Sequence, residues 1–245
     1  MRTYVAELHV HTVLSPCAEV EMIPPLIVRT AVESGIHLMA VTDHNASANV
    51  AAVRQAAEGS TLTVLPGMEL QTREEVHVLC LFDTCEQLKV WQAVVDAHLP
   101  DRENNADYFG EQFVVDHTGD FIRRETRLLI TSASLSLTQA IEGVTDLGGL
   151  AIPAHVDRTA FGLMANLGFV PTDVPIKALE ISRHLRPAAA IQKYPQFGNL
   201  PLLRGGDVHR LDEFLGANVF RLEAPTLAEL CLAFEGSQGR SLHVV

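Results

Sequence analysis

A chain of 245 residues, 47% hydrophobic and 20% charged, carries enough apolar material for one large α/β domain or two small ones. Its net charge of −12 disfavours non-specific binding to duplex DNA or RNA, which needs a basic footprint, so no duplex nucleic-acid partner is expected. The apolar runs fall far short of a membrane span, no signal-peptide core precedes the first strand, and Cys17, Cys80, Cys85 and Cys231 lack CxxC spacing. No membrane partner and a reducing, cytoplasmic setting are therefore expected.

In chain order, Tyr4-Val5-Ala6 opens a buried strand that runs toward His9-Val10-His11. Residues i and i+2 of a strand share a face, so both imidazoles emerge together where the strand meets a polar loop. Pro24-Pro25 starts a helix through Glu33, ended by Gly35. A short strand, 38–41, leads into Thr42-Asp43-His44-Asn45, and Asn45 or Ser47 is a candidate cap for a helix over 50–58. A strand over 62–65 reaches Pro66-Gly67-Met68-Glu69, and a further strand covers 76–82 before a helix over 86–98. Residues 100–131 are polar and turn-rich and read as a hairpin insertion rather than a linker, so the whole chain, 1–245, is kept as one domain. A helix over 135–147, strands at 150–152, 177–181, 201–203 and 217–222, and a helix over 226–234 complete the pattern. Alternation of short apolar runs with helices suggests about seven parallel βα units, and hence a barrel with its chemistry at the carboxyl ends of the strands.

Ligand-type residues recur at those ends: His9, His11, Cys17, His44, Glu69, His77, His155, Asp207 and His209. Each has a plain reading, such as a strand histidine or a helix-capping carboxylate. Their joint placement points to a metal site. Imidazole-rich donors with few carboxylates suit Zn²⁺, Fe²⁺ or Mn²⁺, and nine donors exceed one ion's needs, so two or three ions are expected. His37, His98, His117, His184 and His243 read as surface or loop residues.

The blocks His9-Val10-His11-Thr12, Thr42-Asp43-His44-Asn45, Gly67-Met68-Glu69, Pro153-Ala154-His155 and Gly206-Asp207-Val208-His209 resemble, in order, the motifs of the polymerase and histidinol phosphatase (PHP) family. That resemblance implies a distorted (βα)7 TIM-like barrel with a trinuclear metal site and phosphoester hydrolysis. It implies that His9 and His11 bind a first ion with Asp207. Glu69 would bridge it to a second ion held by His77 and His155, and His44 and His209 would bind a third. One departure is Cys17, which stands where members carry an aspartate or histidine. Either it supplies a thiolate, favouring Zn²⁺ or Fe²⁺, or it is a buried free cysteine with Glu19 or water as the ligand.

Three divalent ions less Glu69, Asp207 and a Cys17 thiolate leave a charge of roughly +3, which suits a small phosphorylated metabolite, nucleotide or short oligonucleotide. A hydroxide bridging two ions is the expected nucleophile, with Asp207 or His209 relaying a proton. Arg158 and Arg183 are candidate phosphate contacts; the plain alternatives are solvated arginines, with Arg158 paired to Asp157. An amidohydrolase-like C–N or C–O hydrolase is the rival reading, against which no metal-bridging lysine stands at a strand end. A metal-binding role without catalysis is the third.

Overall fold

A computed structural model describes residues 1–245. The first strand, β1 (Arg2–Val10), becomes fully buried from Ala6 onward. Helix α1 (Pro24–Glu33) has its prolines in the first turn, where a missing N–H costs nothing. Then follow β2 (Leu38–Val41) and α2 (Val50–Ala56). Neither Asn45 nor Ser47 caps α2: the N-cap is Asn49, with no side-chain cap bond. Strand β3 (Thr63–Gln71) does not stop at Pro66-Gly67 but runs nine residues through them, so Glu69 lies inside the strand. A tight turn at 72–76 returns the chain as β4 (His77–Leu81). Helix α3 (Cys85–His98) opens with a reciprocal Thr84–Gln87 capping box.

The polar middle holds the short helix α4 (Ala106–Phe109) and an antiparallel hairpin of β5 (Phe113–Val115) and β6 (Phe121–Arg124). Helix α5 (Leu137–Asp146) uses a second capping box, Ser136–Gln139, and precedes β7 (Leu150–Pro153). The remainder is α6 (Leu163–Asn166), β8 (Leu179–Ser182), α7 (Pro187–Lys193), β9 (Leu202–Gly205), β10 (Asn218–Leu222), α8 (Leu227–Phe234) and β11 (Ser241–Val244). Helix α7 and strand β11 carry no clear periodic signal and are additions to the sequence reading. No helix is long and apolar enough to cross a membrane.

The sheet corrects the expectation of seven parallel units. Seven strands are ordered β11-β10-β1-β2-β3-β4-β7, and only β1–β2 and β2–β3 are parallel. The turn after β3 is too short for a crossover, so β3–β4 is antiparallel, as are β4–β7 and β1–β10. Strands β8 and β9 form a separate parallel pair. Backbone bonds tie that pair to the main sheet at two seams: Val156 N–H to Glu180 O, and the Val10–Val208 bridge. The architecture is thus a mixed α/β fold with a curled, half-barrel sheet.

Two apolar cores lie on its two faces. On one, Met39, Val41, Val64, Val78 and Cys80 pack against α1, α2, α3 and α5 through Ile27, Val53, Trp91 and Ile141. On the other, Ala6, Leu8, Leu38, Ala40, Leu65, Leu79 and Ile152 pack with Leu227 and Leu230 of α8. Between them, β1 changes face. Ala6 pairs with Leu38 and Glu7 with Met39, but Val10 pairs with Val41, so β1 holds one residue more than β2 over this stretch. The bulge puts Val10 in the helix-covered core while Ala6 and Leu8 belong to the other. His9 and His11, flanking Val10, consequently point away from the helices.

Candidate metal centre

Each side chain of the site is delivered by a backbone feature. The bulge aims His9 and His11. The loop after β2 is zipped to β3 by Asn45 N–H to Glu69 O and Glu69 N–H to Asp43 O, placing His44 beside Glu69. His77 heads β4 next to Glu69, on the face of Leu79 and Leu81. His155 and Asp207 follow β7 and β9 in left-handed backbone, at φ 29° and 47°. That conformation costs a non-glycine residue roughly 1 kcal/mol or more, a strain typical of functional positions.

The donor atoms converge. His9 Nε2 lies 3.1 Å from His11 Nε2, 3.2 Å from Glu69 Oε1 and 3.2 Å from Asp207 Oδ1. His11 Nε2 is 3.3 Å from Asp207 Oδ1 and 3.4 Å from Glu69 Oε2. Glu69 Oε1 also meets His77 Nδ1 at 2.8 Å and His155 Nε2 at 3.1 Å, while Oε2 meets His44 Nδ1 at 2.8 Å. His209 Nδ1 is 3.4 Å from Asp207 Oδ1, and its Nε2 is 3.1 Å from Cys17 Sγ. All nine candidate ligands therefore gather in one place. Donors about a tetrahedral ion with bonds of about 2.0–2.1 Å stand about 3.3–3.4 Å apart, close to the separations in the His9, His11, Glu69 and Asp207 group. Glu69 Oε2, His44 Nδ1, His155 Nδ1 and Asp207 Oδ1 are buried without a hydrogen-bond partner. Buried polar atoms of a folded protein are nearly always paired, so these four fit a cation-binding role.

The electrostatics divide the histidines: His11 and His77 are held neutral, whereas His9, His44 and His209 are drawn toward the imidazolium form. Burial pushes the Glu69 carboxyl up, but His77, His9 and His44 outweigh it and hold it well below the usual range. Asp207 behaves alike: burial raises it, and His9 and His11 bring it well below. Burial lowers His11 strongly, with His209 adding to the effect, and lowers His77 to about 4 against the opposing pull of Glu69. Ionised carboxylates beside neutral imidazoles are the protonation states that ligate metals. Burial would also lower His9 and His44. The carboxylates Glu180, Glu69 and Asp207 raise the first instead, and Cys17 and Glu69 raise the second.

A supporting layer, invisible as ligands in the sequence, fixes the rings. His9 Nδ1 bonds Glu180 Oε1 at 2.8 Å. His11 Nδ1 bonds Ser15 Oγ at 2.9 Å, and that hydroxyl donates to Asp43 at 2.7 Å. Both bonds leave Nε2 free for an ion. His209 Nδ1 similarly bonds the Asp207 carbonyl at 2.9 Å. Glu180 had one signal, an acidic residue in a fully buried strand; Asp43 lay inside a quoted motif.

Three expectations need correction. Cys17 is exposed rather than buried, and Glu19 turns outward to Arg210 at 3.0 Å, so a buried cysteine with Glu19 as the ligand does not fit. Arg158 pairs with Asp207 Oδ2 at 2.6 Å, not with Asp157, which is taken by Ser182. Arg183 is not brought to the site: it bonds the Glu213 carbonyl at 3.1 Å and faces the Glu213 carboxylate at 3.6 Å.

No family model and no curated protein matches the chain by sequence. Solved structures do match. The lesion-specific endonuclease PfuEndoQ from Pyrococcus furiosus superimposes at TM-score 0.72 with 18% identity, over 98% of this chain and 58% of that one. Endonuclease Q in complex with a 27-mer duplex bearing an abasic lesion gives 0.70, 18%, 98% and 58%. A two-domain protein from Bacteroides vulgatus containing a predicted PHP-like metal-dependent phosphoesterase gives 0.53, 15%, 99% and 65%. The chain shares its fold with these proteins, one of which is described as PHP-like. At these identities the likeness is one of fold, and the chain spans 58% of the endonuclease's length. The shared fold overturns the argument from net charge against duplex nucleic acid, because a protein of this fold binds a DNA duplex at its active site. Net charge averages over a whole surface, whereas binding is decided by the local field at one cleft.

Proposed function

We propose that this chain is a metal-dependent phosphoesterase carrying two or three divalent ions, with Zn²⁺, Fe²⁺ and Mn²⁺ best matched to its donors. The meeting of His9, His11, Glu69 and Asp207 at 3.1–3.4 Å carries the reading. Bound ions would supply Lewis acidity toward phosphoryl oxygens and an acidified water at neutral pH. His9, His11 and Asp207 hold the first ion. Glu69 turns one oxygen to His9, His77 and His155 and the other to His11 and His44, the disposition of a bridging carboxylate. His77 and His155 complete a second ion's set. His44, His209 and a Cys17 thiolate hold a third, and the sulfur favours Zn²⁺ or Fe²⁺ there.

Arg158, part-exposed at the cavity wall, holds Asp207 Oδ2 and presents the rest of its guanidinium to a phosphoryl group. His209, at the cavity wall with its ring oriented by the Asp207 carbonyl, keeps Nε2 turned to that third position. We read the curled sheet together with β8 and β9 as a PHP-type (βα)7 barrel whose two seams are held by isolated bonds. Likeness to an endonuclease favours a nucleotide or nucleic-acid phosphoester as substrate.

Protein purified without chelators should contain these ions by element-specific analysis. Reconstituted with Mn²⁺, Fe²⁺ or Zn²⁺, it should turn over members of a phosphoester panel, and Glu69→Gln should abolish both properties. No turnover across the panel would overturn the reading. Turnover of lactams or amides alone would transfer the chain to the amidohydrolase class.

A further inference from the structure

The cavity beside the ligands, about 380 Å³, is not uniformly polar. Besides the ligands Cys17, His44, Glu69 and Asp207, it is lined by Phe109, Ile130 and Phe161. We propose that this apolar wall is a docking surface for a flat ring on the phosphoester, and that residues 100–131 set substrate specificity. This rests on the phosphoesterase reading and names the part of the substrate that reading leaves open.

Each wall residue is held in place. Phe161 stacks on the His77 ring with centroids 4.6 Å apart and planes 13° from parallel, yet remains 40% exposed. Its backbone sits at φ 58°, an unfavourable region for a bulky residue, anchored by its carbonyl accepting the His77 N–H at 3.1 Å. Ile130 lies between two carbonyls, of Leu129 and Thr131, that both accept from the Asn45 amide at 2.7 and 2.8 Å. Phe109 precedes Gly110, at φ 98°, which packs so closely on the Pro16 carbonyl that a side chain there would clash. The insertion is therefore clamped to both the Pro16-Cys17 loop and the His44 loop. Apolar side chains fixed beside buried charges, with Phe161 still 40% exposed beyond its stack on His77, fit a π-face ligand, and stacking on an aromatic side chain tolerates any base.

The test compares diesters sharing one leaving group: thymidine 5′-(4-nitrophenyl) phosphate, phenyl 4-nitrophenyl phosphate and methyl 4-nitrophenyl phosphate, on metal-loaded protein. The two esters with a second ring, on the non-leaving side, should exceed the methyl ester, whose only ring is the shared leaving group, in kcat/KM by roughly 10-fold or more, chiefly through KM. A nucleobase-selective site favours the thymidine ester over the phenyl one; a general aryl site treats them alike. Phe109→Ala and Phe161→Leu should bring the ring preference close to unity without loss of bound metal, whereas Tyr108→Ala, on the exposed neighbour, should retain it. Equal kcat/KM for all three esters overturns the inference and leaves the phosphoesterase reading standing. If no ester is cleaved, calorimetric binding decides: thymidine 5′-monophosphate and phenyl phosphate should bind roughly 10-fold tighter than inorganic phosphate, and equal affinity overturns it.

Discussion

Glu69 Oε2 and His44 Nδ1 face each other at 2.8 Å in the interior, and neither atom makes a hydrogen bond. Removing such atoms from water without a hydrogen bond costs about 1–3 kcal/mol each, offset only in part by their mutual attraction. A divalent ion would compensate both at once. Loading with Zn²⁺ or Mn²⁺ is accordingly expected to stabilise the fold, by about 2.7 kcal/mol for each ion held at 100 times its Kd. Thermal melts with and without chelator measure this; coincident melts would contradict it.

Glu180 reaches no cavity but fixes His9 through Nδ1 and also accepts the His155 N–H at 3.3 Å. Glu180→Gln keeps the volume and loses the charge. It should weaken metal affinity or turnover about 10- to 100-fold, the usual cost of losing a carboxylate behind a ligating histidine. Competition with a fluorescent chelator would read the affinity, and unchanged binding with unchanged rate would refute a positioning role.

Cys17 offers a chemical readout. Although the residue is exposed, its sulfur faces the ligand cluster and loses water there, which pushes the thiol up; His44 and His209 outweigh that and draw it to about 6, whereas burial drives Cys80 to about 12. In chelator-treated protein at pH 7, Cys17 should be alkylated first, with a rate midpoint near pH 6, and Cys80 should stay unmodified. Metal loading should protect Cys17. A midpoint near that of an ordinary thiol, or no protection, would remove Cys17 from the proposed ligand set.

Glu7 predicts a pH dependence of stability. Burial raises its carboxyl from 4.5 to about 7, against the opposing N–H bonds of Gly206, Leu215 and Gly216. The folded state then holds this proton more tightly than the unfolded state. Its stabilising contribution is complete below pH 4.5 and is lost as pH rises through 7, amounting to about 3 kcal/mol. Glu7→Gln should flatten the stability profile over that window, as followed by urea melts; an unaltered slope would reject the assignment.

Gly143 lies within α5 where a Cβ would meet the buried Trp91 ring at 2.8 Å. Alanine would gain about 1 kcal/mol of helix propensity but incur about 1–3 kcal/mol of overpacking. Gly143→Ala should therefore lower stability by up to about 2 kcal/mol, shifting Tm down by as much as several degrees. A stabilised variant would show that α5 can move off Trp91.

The sequence disclosed the site more fully than the sheet. Ligand chemistry is local: an imidazole is recognisable wherever it stands, and strand ends are marked by apolar runs meeting polar loops, so His9 through His209 could be collected without knowing how strands pair. Pairing is not local. The antiparallel course of β3–β4 follows from a turn only as long as residues 72–76, and the isolation of β8–β9 from the main ladder has no sequence mark. Pro66-Gly67 read as a terminator, yet β3 accommodates them, since the Pro66 carbonyl still accepts the Phe82 N–H. The β1 bulge was hidden for a related reason: Leu8 and His9 look like ordinary alternation, and only pairing with β2 reveals the extra residue. Asp43 and Glu180 escaped because their roles depend on partners far away in sequence, and Ser15, only four residues from His11, because a loop serine carries no mark of which ring it will meet.

The seam at Val208, where His11 N–H bonds its carbonyl and its own N–H bonds His9, joins the chain's opening strand to a segment made long afterward. During synthesis, therefore, a nascent polypeptide cannot assemble the full donor set until Asp207 and His209 have cleared the ribosome. Early-emerging histidines must wait, unsheathed, for the carboxylate that completes them, so under the proposed metal reading a complete ion site would exist only once the last fifth of the chain has joined the first strand.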